Sequence, residues 1–252
     1  MAVYSVTPHL RTPTCSGWPA ILAGVALFAA LLGALPGAPL AAQVTASTPL
    51  LDALSITVQL DSATVARGSA RFRQVRTGTD VELVASGIVV QRGLRVTSEL
   101  RTDSAYVLRR YLAESRDSTG TVFDRIQVRS AGGRITLERT TPSRRIMREY
   151  AAQRDLMILD SAAVVPFVAL AGVGQRAATI PLLDVRSGRV RIATLTSGAS
   201  LDLSVAEVMV PGTPITVSGL PSPLRWWRDA RGRLLRVAWG ERSRVLRDDP
   251  PT

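Results

Sequence analysis

Three aspartates in the middle of the chain are the side chains best placed for chemistry: Asp155, Asp160 and Asp184. Asp155 and Asp160 flank the apolar run 156–159, and Asp184 ends a second apolar run. Two carboxyl groups that face one cleft can hydrolyse a glycosidic bond, and clustered carboxylates can bind Mg²⁺ or Ca²⁺. The alternative is that Asp160 and Ser161 cap a helix and that the other aspartates cap turns, as Asp often does. Capping is the interpretation that the spacing favours.

The residue types that other catalytic systems require are missing from most of the chain. His9 and Cys15 are the only histidine and cysteine, and there is no lysine. Without imidazole or thiol, residues 43–252 cannot form a Ser–His–Asp or Cys–His system, or the usual ligand sets of Zn, Cu, haem and Fe–S clusters. Without lysine there is no Schiff base and no P-loop. We therefore expect no catalytic residue, no metal and no cofactor, and predict that the chain binds a molecule rather than transforming it.

The N-terminal segment has the pattern of an export signal. An apolar run over 21–35 is followed by small residues at 38–42, which suit signal peptidase. We expect residues 1–42 to be a signal peptide that is cleaved near Ala42, so that the protein is periplasmic or extracellular. The alternative is an uncleaved anchor, because 18–35 approaches the span of a bilayer.

The remaining length suits a single domain. Removing residues 1–42 from a chain of 252 leaves 210, enough for one sizeable core. We expect a flexible segment over 43–52, one antiparallel β-rich domain over 53–247, and a disordered tail over 248–252.

The charge of the chain is strongly positive. Arg11 is the only charged residue in 1–42, and subtracting it from the net charge of +11 leaves +10. Such a charge attracts polyanions, which include anionic membranes, cell-wall polymer and nucleic acid. Nucleic acid is the least favoured of these partners, because the arginines are dispersed and are not gathered with exposed aromatic residues.

The apolar pattern after residue 42 is mostly that of β-strands. Apolar and polar residues alternate between Gly-containing turns, and the Gly133-Arg134 turn region joins the clearest hairpin. The segment 105–114 fits either a strand or a helix. An apolar run over 156–159 follows the strand expected at 144–150. The expected strands are 54–60, 72–75, 81–84, 87–90, 94–100, 121–129, 134–139, 144–150, 179–185, 189–195, 201–210, 215–217 and 242–246.

One segment has the pattern of a buried helix. Residues 162–171 are the most apolar run after the export signal, with Asp160-Ser161 before them and Gly172 and Gly174 after them. A curved sheet leaves a concave apolar face that needs cover, and this helix supplies it either as permanent packing or as a displaceable lid. The predicted fold class is mainly β with one or two short helices (α+β), a curved antiparallel sheet or half-barrel packed on an apolar helix.

The tryptophan-rich stretch 224–239 predicts a second well-defined hairpin. Asp229 and Gly232 suit a type I turn followed by a left-handed residue, which pairs Asp229 with Arg233. Strict alternation then gives a core face with Trp227, Leu235, Val237 and Trp239, and a boundary or partner-binding face with Leu224, Trp226, Arg228, Leu234, Arg236 and Ala238. On this register Arg236 lies opposite Trp226, where a cation–π contact can form.

The order of elements, ending in Trp-Arg-Asp-Ala-Arg-Gly-Arg-Leu-Leu-Arg-Val at 227–237, resembles periplasmic lipoprotein-carrier proteins of the Lol type. It is also similar to exported bacterial β-sheet domains with a comparable C-terminal strand pair. The resemblance to the carriers implies a curved sheet that holds acyl chains against apolar helices, although this chain has one clear helix where the carriers have several. The candidate ligand-binding residues are Val164, Val165, Phe167, Val168, Leu170, Trp226, Arg228 and Arg236.

Our leading hypothesis is an exported, non-enzymatic protein that binds an apolar or amphiphilic ligand, such as a lipid or a lipoprotein acyl chain, or an envelope partner. The alternatives are a carboxylate-dependent hydrolase of envelope polysaccharide and a structural or adhesive module that uses arginine-rich faces.

Overall fold

The computed structural model describes residues 50–173 and 179–251, so the expected signal peptide, residues 43–49 and the glycine at 174 lie outside the described part. The first eight strands are β1 (Leu50–Leu60), β2 (Ala63–Thr77), β3 (Asp80–Gln91), β4 (Leu94–Asp103), β5 (Leu108–Arg116), β6 (Val122–Ala131), β7 (Arg134–Thr141) and β8 (Arg144–Ala151). The remaining elements are β9 (Met157–Leu159), α1 (Val165–Val173), β10 (Thr179–Asp184), β11 (Arg189–Ser197), β12 (Leu201–Val205), β13 (Val208–Ser218), β14 (Leu224–Arg228), β15 (Leu234–Trp239) and β16 (Ser243–Arg247).

The strands form one large open sheet, in the order β8-β7-β6-β5-β4-β3-β2-β1-β16-β15-β14-β13-β11-β10-β9, with β12 paired to β13 alone. Neighbouring strands are antiparallel except for β9 and β10, which are parallel. The mainly β fold class is therefore confirmed, and residues 108–114 of the ambiguous segment 105–114 lie in strand β5. The first and last strands of the domain, β1 and β16, pair in the middle of the sheet.

A buried ion pair holds the central strand pair together. The guanidinium of Arg247 donates to both carboxylate oxygens of Asp52, at 2.9 and 3.0 Å, and both side chains are almost fully buried. Asp52 was expected in the flexible start but lies within β1. In the expected tail, the amide of Asp248 donates to the carbonyl of Ser55. A buried pair of this kind ties the two ends of the described chain to the same part of the core.

Two apolar clusters lie on opposite faces of the sheet. The larger cluster contains α1 together with side chains from most strands, such as Ile56, Tyr111, Ile126 and Trp226. We call the face that carries these side chains the inner face, and the opposite one the outer face. The smaller cluster lies on the outer face of β14 and β15, where Trp227, Leu235 and Val205 pack together.

The helix begins later than the sequence pattern predicts. It covers Val165–Val173 rather than 162–171, and eight of its nine residues are buried. Asp160 does not cap it, because its carboxylate accepts the amide of Ala162 within the preceding turn. The helix contacts β3, β4, β9, β14 and β15. In the described ranges, no helix is both long and apolar enough to cross a membrane.

The predicted register of the tryptophan hairpin is wrong beyond its turn. Asp229 does pair with Arg233, whose carbonyl accepts the Asp229 amide. A β-bulge then pairs Arg228 with Leu234 and Trp227 with Arg236, which reverses the faces of most residues. The inner face therefore carries three core residues that were predicted for the boundary face: Leu224, Trp226 and Leu234. Val237 and Trp239 also lie on the inner face, in the core, as predicted. Trp227 and Leu235 instead pack on the outer face.

The prediction of a single strand over 201–210 is also wrong. The structure divides it into β12 and β13, which pair as a hairpin across Ala206 and Glu207. Both turn residues have positive φ, 48° and 67°. Hairpin turns of this type normally use Asn or Gly, so the sequence carries no signal for this one.

Candidate functional site: an apolar cavity beside the helix

An apolar cavity of about 280 Å³ lies between the segment leading into α1 and the inner face of the sheet. Its deep end is closed by buried side chains, including Ile56 and Phe167, which are 1% and 3% exposed. At its other end Gln91 and Leu94 are exposed, Leu94 to 43%. The cavity therefore leads from solvent into the core.

The walls of this cavity come from strands far apart in the sequence. Strands β1 to β4 contribute Val58, Ala66, Val89 and Val96, and β16 contributes Val245. These residues alternate with outward-facing neighbours, as the two-residue period of a strand requires. The segment before the helix closes the opposite side with the residues Ser161, Ala162, Ala163 and Val164.

An arginine at the cavity wall is already neutralised. The Nε of Arg186 donates to Asp160 Oδ1 at 2.8 Å, and its Nη1 donates to Asp124 Oδ2 at 2.7 Å. Asp160 also accepts the hydroxyl of Tyr111 at 2.7 Å, and Asp124 accepts two bonds from Arg139. Two guanidinium groups thus balance two carboxylates, and no unpaired charge of this network faces the cavity.

Burial changes the ionisation of this network. Burial raises the pKa of Tyr111 well above its usual value, and the neighbouring Asp160 carboxylate raises it further. Burial alone lowers the pKa of Arg186, but the carboxylates of Asp160 and Asp124 outweigh that effect and raise it overall. Tyr111 therefore stays a neutral hydrogen-bond donor and Arg186 a cation throughout the ordinary pH range.

The predicted helix residues lie at or behind the cavity. Val164 and Phe167 line it. Val165, Val168 and Leu170 are fully buried in the larger cluster, 0% to 4% exposed, and do not line it. The Phe167 ring meets Trp239 edge-on, with centroids 5.6 Å apart.

The three predicted residues of the tryptophan hairpin do not join the cavity. Trp226 is fully buried in the larger cluster, and Arg228 donates to the carbonyl of Ala171 at 3.3 Å in the last turn of α1. Arg236 lies on the outer face, 5.1 Å from the ring centroid of Trp227 and not over Trp226 as predicted. The bulge at this hairpin accounts for both differences.

The carboxylates singled out from the sequence do not form an open pair. Asp155 is exposed in a turn, Asp160 is fully buried, and Asp184 accepts bonds from the amides of Arg186 and Ser187. No group of three His, Cys, Asp or Glu side chains suited to a metal is found among the described residues. These three aspartates therefore form neither the open carboxyl pair that the hydrolase hypothesis requires nor a shared cation site.

Sequence reasoning missed the residues that build the site. Asp124 and Arg186 are 62 positions apart and meet only because the turn after β10 lies against β6. The cavity-lining valines look like ordinary strand residues. Their alternation with polar neighbours was a usable signal for which face is buried, but not for where packing is incomplete.

The outer face carries a larger depression, of about 420 Å³, over β2 to β5. It is lined by polar and charged side chains such as Ser69, Arg71, Thr97 and Glu99, two of which are exposed. A concave, mostly apolar site is what ligand pockets usually present, so the smaller cavity is the stronger candidate.

Comparison with known protein families, characterised proteins and solved structures finds no match to this chain.

Proposed function

We propose that this protein binds a molecule with a single alkyl or acyl chain, with that chain held in the cavity beside the helix. The observation that carries the proposal is an apolar cavity of about 280 Å³ that is open at one end and closed by core residues at the other. The wholly paired state of Arg186 supports an uncharged tail in this space.

The curvature of the sheet is part of this proposal. The helix contacts β3 and β4 and also β14 and β15, which stand at least four places away from them in the strand order. A flat sheet with strands about 4.8 Å apart would separate β3 from β15 by roughly 19 Å. These contacts support a sheet that curves around α1, as in a half-barrel.

The size of the cavity bears on the ligand class. An engineered apolar cavity of about 150 Å³ in another protein holds one benzene molecule, and ligand pockets usually measure about 300–1,000 Å³. A cavity of about 280 Å³ is therefore suited to one chain and too small for the two chains of a phospholipid. The polar head of such a ligand stays at the open end, beside Gln91 and the exposed Ser161.

The cellular setting proposed for this binding is outside the cytoplasm. It depends on the export signal read in residues 1–42, and lipid or a lipoprotein acyl chain is the ligand source that fits it. An envelope partner that carries an acyl chain fits equally well.

Two adjacent residues of β3 give a matched test. Val89 lines the cavity, whereas Ile88 lies on the outer face of the same strand. Displacement of a fluorescent fatty acid by dodecanoate should be lost in Val89→Trp, because the indole fills the cavity, and kept in Ile88→Trp.

Lipid extraction of the purified protein adds a second readout, in which a single-chain lipid should be recovered from the wild type and from Ile88→Trp. Equal fatty-acid affinity for the wild type and a folded Val89→Trp variant would contradict the proposal. If Val89→Trp does not fold, the smaller substitution Ala66→Leu at the cavity wall replaces it and should weaken the same binding.

A further inference from the structure

A row of arginines crosses the outer face of the sheet, opposite the cavity. The paired positions run from Arg236 through Leu246, Thr57, Arg67 and Val90 to Arg95. Cross-strand partners share one face, so these three arginines project from the same side. With strands about 4.8 Å apart, the five steps from Arg236 to Arg95 span roughly 24 Å along the sheet.

Little negative charge balances this row. Within the described residues, Arg67, Arg92 and Arg95 form no ion pair with a carboxylate, and all three are exposed. Two acidic groups beside the row are Asp248, which accepts the Thr57 hydroxyl, and Glu114, which pairs with Arg116, the cross-strand partner of Arg95.

An exposed apolar side chain lies among these arginines. Val90 stands between Arg67 and Arg95 in the row and is 47% exposed. Leu94, by contrast, pairs with Gln91 and lies on the inner face, at the open end of the cavity. An apolar side chain flanked by unpaired cations is complementary to an anionic bilayer surface. There the cations can bind lipid phosphates while the apolar side chain enters the adjoining boundary of the hydrocarbon.

Other polyanions fit this surface less well. Binding of single-stranded nucleic acid relies on exposed aromatic side chains, and the aromatic side chain beside the row, Trp227, is 9% exposed. A soluble anionic polymer gains nothing from Val90, because it offers no hydrocarbon interior.

We propose that the patch formed by Arg67, Val90, Arg92 and Arg95 docks this protein on an anionic lipid bilayer, the arginines binding lipid phosphates and the Val90 side chain entering the headgroup region. This surface is distinct from the cavity, which lies on the opposite face of the sheet. The docking does not require a ligand in the cavity.

The test is sedimentation of the protein with vesicles of phosphatidylglycerol and phosphatidylcholine, against vesicles of phosphatidylcholine alone. Binding should require phosphatidylglycerol and should weaken as salt is raised. Each arginine near an anionic surface contributes about fivefold to partitioning, so Arg67→Ser combined with Arg95→Ser should weaken it roughly 25-fold.

The matched control removes the same charge elsewhere. Arg154→Ser with Arg189→Ser, at two exposed arginines outside the patch, should change binding much less. Similarly, Val90→Asp should reduce binding strongly, whereas Met209→Asp, at a 61% exposed residue of β13, should have little effect.

Equal losses in the patch and control variants would overturn the assignment, as would equal binding to the uncharged vesicles. Stronger binding to a soluble sulfated polymer than to phosphatidylglycerol vesicles would also overturn it, in favour of a polymer partner. Val89→Trp, which fills the cavity, should bind vesicles normally, so failure of the ligand proposal and failure of the docking proposal give different results.

Discussion

Filling the cavity should stabilise the fold while weakening ligand binding. Ala66 lies at the cavity wall and is 5% exposed, so Ala66→Leu places three more carbons in apolar space. At about 0.8 kcal/mol for each buried methylene, this gains up to about 2.4 kcal/mol. Ordering the leucine side chain costs about 0.5–1 kcal/mol, which leaves a net gain of up to about 1.4–1.9 kcal/mol.

The control for this prediction lies on the same strand and face. Ala70 is 2% exposed, does not line this cavity, and lies opposite Gly87 in the strand pairing, close to Val165. Ala70→Leu should therefore overpack the core and cost about 1–3 kcal/mol. The opposite signs separate the presence of space from a general effect of leucine in a strand.

The assays are urea unfolding, with the midpoint compared at constant slope, and displacement of a bound fluorescent fatty acid. Ala66→Leu should raise the unfolding midpoint and lower the fatty-acid affinity. Equal destabilisation by both substitutions would refute the cavity. Stabilisation by Ala66→Leu with unchanged affinity would refute the cavity as the binding site.

Three further predictions concern the core around the site. Arg186→Leu should cost about 3–5 kcal/mol in urea unfolding, because it leaves the buried carboxylates of Asp124 and Asp160 short of a cation; a loss under about 1 kcal/mol would contradict the network. Gly87→Ala should lower stability by about 1–3 kcal/mol, because the new methyl group would lie 2.8 Å from a backbone oxygen of β2. The raised pKa of Tyr111 keeps its proton bound in the folded state when the unfolded state releases it, so this residue stabilises the fold below pH 10. Above about pH 10 the free energy of unfolding should fall by about 1.4 kcal/mol per pH unit through Tyr111, and Tyr111→Phe should lose that slope in unfolding curves taken between pH 9 and 11.

The regular parts of the fold follow from local sequence. The hairpin of β6 and β7 combines alternating apolar residues with Gly132 and Gly133, whose φ values are 58° and 74°. Such positions favour glycine, so the turn and the register can be read from the sequence. The same holds for the turn between Asp229 and Arg233.

Departures from regular geometry were not predictable in this way. One extra residue in β15 exchanges the faces of Trp226 and Trp227, because side chains alternate with a period of two. Nothing in the types of Leu234 and Leu235 marks the bulge. At the turn of Ala206 and Glu207, neither residue type favours the positive φ values that the backbone adopts.

The site depends on contacts between distant segments. The local sequence predicts that Asp160 caps a helix. Its carboxylate instead accepts hydrogen bonds from Arg186, 26 residues later, and from Tyr111, 49 residues earlier. The apolar composition of α1 predicted its burial correctly. Whether such a helix leaves space beneath it depends on packing volumes that no local pattern contains.

The central claim is that an alkyl chain enters the cavity beside the helix, and crystallography with a bromine-labelled fatty acid tests it most directly. With 12-bromododecanoate bound, the anomalous bromine peak should lie at the closed end of the cavity, near Ile56 and Phe167, with the carboxylate beside Gln91. A peak only on the outer face, or an empty cavity at saturating ligand, would contradict the claim.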